Sequence, residues 1–214
     1  MRFMDKPKLI GIDFDNTIVN YDQVLNQTAR DLGLIRQEIL KGKKNVRDHI
    51  RALPDGEMAW RRVQAIVYGQ RMDEAVLIAG VKSFIQTCRA SRIPLFIVSH
   101  KSVHASADPE KINLRDAALQ WMKAQKFFDK NGMSFSSANV FFESTREEKI
   151  KRIVSLRCTH FIDDLEETFL ETIFPGNIER LLYSPEEECH HDKRIKHFRS
   201  WQDIHEYFFG RASS

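Results

Sequence analysis

Two aspartates near the start of the chain, Asp13 and Asp15, stand one residue apart at the end of a short apolar run. Alternate residues of an extended chain project to the same side, so the two carboxylates are expected to share one small volume. Carboxylates that lie this close repel each other, and a bound divalent cation would offset the repulsion. One of them could then stay ionised as a nucleophile while its neighbour carries a proton as an acid or base.

The residues on either side of this pair predict a strand that runs into a sharp turn. Leu9, Ile10 and Ile12 show no polar alternation, which is typical of a central parallel strand covered on both faces. Ligands of α/β proteins collect at the carboxyl ends of such strands. Asn16 tolerates the left-handed conformation of a turn, and Thr17 offers a hydroxyl to a carboxylate. The turn would also expose backbone N–H groups to an anion.

The segment Asp13–Thr17, with the sequence Asp-Phe-Asp-Asn-Thr, resembles the Asp-x-Asp-x-Thr signature of the haloacid dehalogenase (HAD) superfamily of phosphohydrolases. Three later features follow in the order in which that superfamily carries its other motifs. A second predicted strand ends at Ser99, Lys149 lies in the helix before a fourth strand, and the fourth strand ends at Asp163-Asp164. The resemblance spans about residues 8 to 185.

The resemblance implies Mg²⁺-dependent hydrolysis of a phosphate monoester. Asp13 would be the nucleophile that accepts the phosphoryl group as an aspartyl-phosphate, and Asp15 would be the general acid and base. A covalent intermediate divides one very slow hydrolysis into two easier displacements. The remaining implied roles are phosphate binding by Asn16, Ser99 and Lys149, metal ligation by Asp13, Asp163 and the backbone carbonyl of Asp15, and support from Thr17 and Asp164.

Two local assignments around the predicted lysine stay open in the sequence. Lys151 lies in the same helix start as Lys149, and a surface position is the ordinary expectation for either lysine. The helix itself can begin after Ser144 or after Thr145, because each of them has a glutamate three residues later and so fits a capping box.

Strands alternate with helices along much of the chain, which favours a parallel sheet with right-handed crossovers. The predicted fold class is α/β, and the resemblance implies a Rossmann-like HAD core in which helices flank a central parallel sheet. A last helix starts at Ser200 and projects Trp201, Ile204 and Phe208 along one face. The predicted strands cover about residues 9–12, 93–98, 139–142, 158–162 and 178–183.

Residues 21–79 carry helical patterns and no strand signal, and we interpret them as a small helical cap inserted after the first motif. Its clearest helix follows the turn at 54–56, where Trp60 is expected to be a packing anchor. The predicted HAD core domain is then made of residues 1–20 and 80–214. The predicted helices of the insertion cover about residues 22–32, 45–53, 57–69 and 73–79.

The insertion is basic, since residues 30–71 carry a formal charge of +5 while the whole chain carries +3. Such a field would raise the encounter rate of an anionic substrate. The cluster Lys41, Lys43 and Lys44 lacks interleaved aromatic residues, so it does not favour nucleic-acid binding. The expected partner is a phosphorylated small molecule or a phosphorylated protein, and no oligomeric state is indicated.

Three functions remain open at this point. The leading one is a phosphomonoester phosphatase, and the second is a phosphoprotein or phosphotyrosine phosphatase with an open cap. The third is a phosphate-sensing or scaffold protein that uses the same fold without turnover. Asp15 favours turnover, because without an acid and base the aspartyl-phosphate would persist as a signal; it also argues against a dehalogenase, which the resemblance says lacks this acid.

Composition narrows the class of protein further. The 214 residues suffice for one well-buried α/β domain with a small insertion, and no apolar run reaches membrane-spanning length. The first residues carry no apolar core of a signal peptide. Cys88, Cys158 and Cys189 are odd in number and far apart, which favours a reducing compartment, and the expected location is the cytoplasm.

A second group of metal-binding residue types lies near the end of the chain, in Cys189-His190-His191-Asp192 together with His197. Its spacing matches no structural zinc pattern. The neighbouring acidic run, 186–188, is typical of a solvated loop, so we assign no zinc site to this group.

Overall fold

The structure is a computed structural model that describes residues 7–36, 42–106, 108–185 and 192–210. In this part of the chain no helix is both long enough and apolar enough to cross a bilayer. The chain divides into two compact units. Unit 1 comprises Met1–Ile18, Ile78–His100 and Lys126–Ser214, and unit 2 comprises Val19–Leu77 and Lys101–Gln125.

Unit 1 is built on a parallel six-stranded sheet, and the strand that leads into the first acid pair lies inside it. In sheet order the strands are β5 (Val140–Glu143), β4 (Leu95–His100), β1 (Ile10–Ile12), β6 (His160–Asp163), β7 (Glu179–Tyr183) and β8 (Ile195–Phe198). Ile12 lies opposite Ile97 on one side and Ile162 on the other. Because all the strand pairs are parallel, the carboxyl ends of β1, β4 and β6 meet at one edge.

Aromatic side chains fill much of the space between the sheet of unit 1 and its helices. Phe84 contacts both Trp201 and Phe208, with ring centroids 5.1 Å and 5.6 Å apart. A second cluster contains Phe161 and Phe169, and large apolar surfaces of this kind supply most of the stabilisation of a core. The helices of unit 1 are α4 (Val81–Ala90), α6 (Arg146–Ser155), α7 (Glu166–Leu170) and α8 (Trp201–Phe209).

The five predicted strands are confirmed as β1, β4, β5, β6 and β7, but the sixth strand, β8, was missed. It lies at the edge of the sheet, and only Ile195 among its four residues is buried. Lys196 and His197 are exposed, which is typical of edge strands that carry charge to prevent further pairing. The sequence of β8 therefore shows no hydrophobic alternation from which a strand could be predicted.

Unit 2 is mostly helical, as predicted. Trp60 is 2% exposed and Val63 and Val67 are fully buried, so the packing role predicted for Trp60 is confirmed. Its elements are α1 (Asp22–Asp31), α2 (Gly42–Arg51), α3 (Gly56–Ala65), a π-helical turn Ile66–Gln70, a 3₁₀ turn Met72–Glu74 and α5 (Leu114–Ala124).

The prediction that residues 21–79 contain no strand is wrong, and so is the predicted helix 73–79. Val76–Leu77 forms β3, which pairs antiparallel with β2, Val19–Asn20, in a two-stranded sheet. Two-residue strands are too short to show a period of alternation. Their pairing depends on a contact between residues more than fifty positions apart, which no local pattern encodes.

The helix α5 groups with unit 2, whereas the predicted domains placed it in the core with the rest of residues 80–214. The indole N–H of Trp121 donates to the carbonyl oxygen of Ala75 at 2.8 Å, and both groups are buried. Leu114 and Ala118 are also buried, and α5 contacts the π-helical and 3₁₀ turns. The sequence predicts that α5 has an apolar face, but it does not predict which element that face packs against.

Candidate active site

Asp13 is the first residue after β1, and its side chain is buried at the carboxyl edge of the sheet. Its backbone N–H donates to the carbonyl of Ile162 at 2.8 Å, which extends the ladder between β1 and β6. Asn16 has a φ of 59°, so the chain turns through the left-handed conformation that its residue type permits. Asp15, between them, is half-buried.

Thr17 fixes this turn through hydrogen bonds to Trp201 and to Asp164. Thr17 is fully buried, and its carbonyl oxygen accepts a hydrogen bond of 2.8 Å from the indole N–H of Trp201, at the start of α8. The Thr17 hydroxyl donates to Asp164 at 3.5 Å, a long and therefore weak hydrogen bond. Trp201 was expected only to pack, and its contact with a residue 184 positions earlier could not be predicted from sequence.

Lys149 reaches the acids from the first turn of α6. The helix begins after Thr145, whose side chain and that of Glu148 form a complete capping box, which resolves the two starts that the sequence left open. The Lys149 ammonium donates to Asp13 Oδ1 at 2.7 Å and to Asp163 Oδ2 at 2.6 Å. Lys151 is instead exposed and pairs with a glutamate of its own helix. Lys149 is therefore the lysine that belongs to the acid cluster.

Burial and charge act in opposite directions on this cluster. The pKa of Asp13 is raised to about 7: burial is the largest cause, the charges of Asp163 and Asp15 act in the same direction, and Lys149 acts against them. For Lys149, burial lowers the pKa, but the carboxylates of Asp13 and Asp163 outweigh this effect and hold it above its ordinary value. Lys149 thus stays charged, and its ammonium partly offsets the effect of burial on Asp13.

Asp13, Asp163 and Asp164 form a group that fits a divalent cation. Each offers a carboxylate oxygen, and these oxygens all lie within 4.8 Å of one another. Magnesium and calcium prefer such hard oxygen ligands. When all three carboxylates are ionised, they and the Lys149 ammonium together carry a formal charge of −2, which a divalent ion would neutralise. The division of roles between Asp163 as a ligand and Asp164 as a supporting residue stays a prediction.

Asp163 is fixed more firmly than its neighbour. Its Oδ1 atom accepts a hydrogen bond of 3.0 Å from the backbone N–H of Leu165, while Oδ2 contacts Lys149. The side chain of Asp163 is fully buried, and Asp164 is half-buried. The two adjacent acids at the end of β6 are thus held in different ways, one by its own turn and one through Thr17.

Ser99 lies on β4, beside β1, and is 1% exposed. Within the described residues no hydrogen bond joins its hydroxyl to the acid cluster, so its role in phosphate binding stays a prediction. The same holds for Asn16, whose backbone conformation is as expected. The structure thus brings Asp13, Lys149, Asp163 and Asp164 together and places Ser99 on the neighbouring strand.

The second group of metal-binding residue types falls largely on residues 186–191, which lie outside the described residues. Asp192 is described, and its carboxylate accepts hydrogen bonds from the Arg194 guanidinium at distances down to 2.6 Å. Its pKa is lowered to about 2, first by that hydrogen bond. A carboxylate occupied in this way adds nothing to a zinc assignment.

The sequence matches no family model, and no curated protein matches it either. Solved structures share its fold. A HAD family hydrolase from Deinococcus radiodurans R1, solved with bound phosphate and sodium, is 12% identical, and the match covers 95% of this chain and 96% of that chain with a TM-score of 0.56.

Two further structures are similar over the same length. A predicted phosphoglycolate phosphatase from Haemophilus somnus 129PT is 15% identical, covering 96% of this chain and 99% of that one with a TM-score of 0.56. The putative HAD-hydrolase YfnB from Bacillus subtilis, bound to magnesium, is 13% identical, covering 95% and 99% with a TM-score of 0.53. The chain therefore has the α/β fold of the HAD-superfamily hydrolases, and the predicted fold is confirmed.

Proposed function

We propose that this chain is a Mg²⁺-dependent phosphohydrolase that cleaves phosphate monoesters through an aspartyl-phosphate on Asp13. The observation that carries the proposal is the buried contact of Lys149 with Asp13 and Asp163 at the carboxyl edge of a HAD-type sheet. An ammonium group at this point supplies positive charge where a transferring phosphoryl group requires it. Two of the similar structures support the proposal, since one contains phosphate and the other magnesium.

In the first displacement, a carboxylate oxygen of Asp13 attacks the phosphorus atom of the ester. The bond between phosphorus and the alcohol oxygen breaks, and the leaving oxygen takes a proton from the carboxyl group of Asp15. Asp15 suits this role because it is only half-buried and its charge already acts on Asp13. Lys149 holds the nucleophile in place and offsets negative charge on the phosphoryl oxygens.

In the second displacement, water attacks the phosphorus atom of the aspartyl-phosphate. The Asp15 carboxylate takes the proton of this water, and the bond between phosphorus and Asp13 breaks to release inorganic phosphate. Both residues then return to their starting protonation states. The same side chain thus acts as an acid in the first half of the cycle and as a base in the second.

Asp13 and Asp163 are the side chains that would hold Mg²⁺, together with the carbonyl oxygen of Asp15, and Asp164 lies close enough to support them. A bound ion would neutralise part of the charge on the transferring phosphoryl group. In the metal-free protein the pKa of Asp13 is raised, mainly by burial, while Lys149 acts in the opposite direction. A bound divalent cation would add to the effect of Lys149 and would favour the ionised form that nucleophilic attack requires.

Hydrolysis of p-nitrophenyl phosphate with Mg²⁺ and with EDTA tests the proposal. Wild-type protein is expected to be active only with Mg²⁺, and Asp13→Asn is expected to be inactive, since an amide is a far weaker nucleophile. The matched control is Asp129→Asn, which changes an exposed aspartate of unit 1 and is expected to keep full activity. Wild-type activity in a folded Asp13→Asn protein would refute the mechanism.

A panel of substrates separates the other two functions. Comparing kcat/KM for phosphometabolites and for phosphotyrosine peptides shows whether a small molecule or a phosphoprotein is preferred. A sensor without turnover would retain a stable aspartyl-phosphate, which hydroxylamine cleaves, and would release no phosphate beyond one equivalent.

A further inference from the structure

His100 is the last residue of β4 and follows Ser99 directly, so it lies at the same sheet edge as the acid cluster. It is exposed, and it pairs in the sheet with Glu143 at the end of β5. The charges of Lys149, Arg146 and Asp15 all act on its ring. The proposed mechanism gives this residue no task.

The ring of His100 is held in one orientation by a hydrogen bond. Its Nε2 atom lies 3.0 Å from the carbonyl oxygen of Ser144. A carbonyl oxygen only accepts, so Nε2 must carry the hydrogen and donate it. In the neutral ring Nδ1 is then an acceptor, and in the described part of the chain no group donates to it.

We infer that Nδ1 of His100 accepts a hydrogen bond from a hydroxyl group on the alcohol part of the substrate. The inference rests on the proposed phosphatase function, and it names the substrate class as phosphate esters of polyhydroxylated alcohols. A hydroxyl that lies a few bonds from the ester oxygen would reach the end of β4 while the phosphoryl group occupies the position beside Asp13.

The surroundings of the ring favour a hydroxyl over a second anionic group. Partial desolvation of the ring is the largest effect on the pKa of His100 and lowers it; the charges of Lys149 and Arg146 act in the same direction, while the hydrogen bond to Ser144 and the charge of Asp15 act against them. The net effect lowers the pKa, which favours the neutral ring. Both of these cations are also already paired, Lys149 with the acid cluster and Arg146 with Glu171 at 2.9 Å. Nδ1 can only accept a hydrogen bond, and the two nearby cations already have anionic partners. The position therefore favours a ligand group that donates a hydrogen bond, such as a hydroxyl.

Two esters that differ only in hydroxyl groups test the inference. We compare kcat/KM for glycerol 3-phosphate and n-propyl phosphate in the wild type and in His100→Gln, whose side-chain amide can still donate to Ser144. The ratio of the two values is expected to fall about three- to tenfold in the variant, the effect of losing one neutral hydrogen bond. His205→Gln is the matched control: His205 bonds to Thr87 on α4, and its replacement should leave the ratio unchanged.

The other possible outcomes contradict either the inference or the proposed function. An unchanged ratio in His100→Gln overturns the inference, and so does an equal loss on both esters, which would indicate a purely structural role. Phosphoglycolate is measured as a third ester, and a loss in His100→Gln that is largest for this ester would also overturn the inference, because a carboxylate has no hydrogen to donate to Nδ1. If the wild type hydrolyses neither these esters nor p-nitrophenyl phosphate, the proposed function fails.

A measurement without turnover separates the two failures. In ¹⁵N-labelled Asp13→Asn protein, glycerol 3-phosphate is expected to shift the Nδ1 resonance of His100, and n-propyl phosphate is expected to leave it in place. The same spectrum should show the hydrogen on Nε2. A hydrogen on Nδ1 in the free protein, or equal shifts with both esters, would refute the contact whether or not the protein is an enzyme.

Discussion

At the scale of single residues, Lys149 carries the strongest constraint in the site. Its side chain is 3% exposed, and a buried ammonium group is tolerated only when anionic partners replace its hydration. Asp13 and Asp163 provide them, and each in turn depends on Lys149 for its own compensation. The proposed chemistry and the stability of the acid cluster therefore involve the same three side chains.

We predict that Lys149→Met destabilises the metal-free protein by about 3–5 kcal/mol, because it leaves two buried carboxylates without their cation. The measurement is urea unfolding in EDTA at pH 8. Added Mg²⁺ should restore part of the loss, since a ligand that binds only the folded state stabilises it.

The matched control for this variant is Lys151→Met. Lys151 lies two residues further along α6, and its ion pair with Glu147 is exposed and screened by solvent, so this substitution should leave the free energy of unfolding nearly unchanged. Equal effects of the two substitutions would show that Lys149 does not stabilise the acid cluster.

The raised pKa of Asp13 predicts a pH dependence of stability in EDTA. The ordinary value of 3.8 applies to the unfolded chain, and the folded value is about 7, so the folded protein binds more protons between these two values. The contribution of this carboxyl to stability is therefore fully present below about pH 4 and is lost as the pH rises to about 7.

Comparing Asp13→Asn with the wild type isolates this contribution. The variant cannot titrate at residue 13, so its free energy of unfolding should improve relative to the wild type between pH 5 and pH 8. Urea unfolding at both values in EDTA measures the difference. A constant difference between the two proteins would mean that Asp13 has the same pKa in the folded and unfolded states.

At the scale of elements, the start of α8 supports the turn that carries the acids, and Gly80 makes room for it. Gly80 has a φ of +92°, and a Cβ atom there would lie 2.7 Å from Cβ of Trp201. Trp201 in turn donates to the carbonyl of Thr17. The close approach of α4 and α8 thus fixes the backbone behind the site.

We predict that Gly80→Ala costs stability and activity together. The positive φ alone costs about 1–2 kcal/mol for a residue with a Cβ, and the overlap with Trp201 adds about 1–3 kcal/mol. Displacing Trp201 should also lower kcat through the Thr17 turn. Gly33→Ala is the control, since Gly33 also has a positive φ, +68°, but nothing lies within 4 Å of the added Cβ. If both substitutions cost the same, the contact with Trp201 does not matter.

The elements that sequence could predict are those whose residues repeat a local pattern. β1 is an unbroken apolar run, and α8 shows Trp201, Ile204 and Phe208 at helical spacing, so both were predicted. The edge strand β8 and the pair β2 and β3 have no such pattern, because their stability comes from partners distant in the chain. The same reason explains why the sequence did not indicate that α5 groups with unit 2.

The residues of the candidate site also differ in how well the sequence predicts them. Asp13, Asp15 and Asp163-Asp164 stand out because packing does not require acids at the ends of buried strands. Lys149 could not be separated from Lys151 by residue type, and only the capping box at Thr145 fixes which lysine turns inward. The hydrogen bond from Trp201 to the carbonyl of Thr17 cannot be predicted from any local sequence pattern.

At the scale of the whole molecule, charge is divided unevenly along the chain. Residues 30–71 carry a formal charge of +5, whereas the whole chain carries +3, so the residues outside this range are slightly acidic. Many of these cations form exposed ion pairs, such as Arg51 with Glu57, while Lys43 lies over the ring of Tyr68 at 5.5 Å. Paired or not, their excess creates a positive field that extends into solvent.

We predict that reversing the charge of the lysine cluster, with Lys41→Glu, Lys43→Glu and Lys44→Glu together, lowers kcat/KM for anionic substrates more at low salt than at high salt. Screening is the reason, since the Debye length falls from about 30 Å at 0.01 M salt to about 10 Å at 0.1 M. A direct contact with the substrate would instead cost activity at both ionic strengths, and chiefly for one class of substrate. The measurement is kcat/KM for a phosphopeptide and a sugar phosphate at the two salt concentrations.

The control for this variant must have the same net charge, because a change from +3 to −3 alone alters the encounter with any anion. Reversing Lys82, Lys130 and Lys193, three exposed lysines outside residues 30–71, meets this condition. If the basic insertion steers the substrate, its variant should lose more kcat/KM at 0.01 M salt than the control and the same amount at high salt. Equal losses in the two variants would show that only the net charge matters, and no loss in either would show that the lysine cluster does not assist the encounter with the substrate.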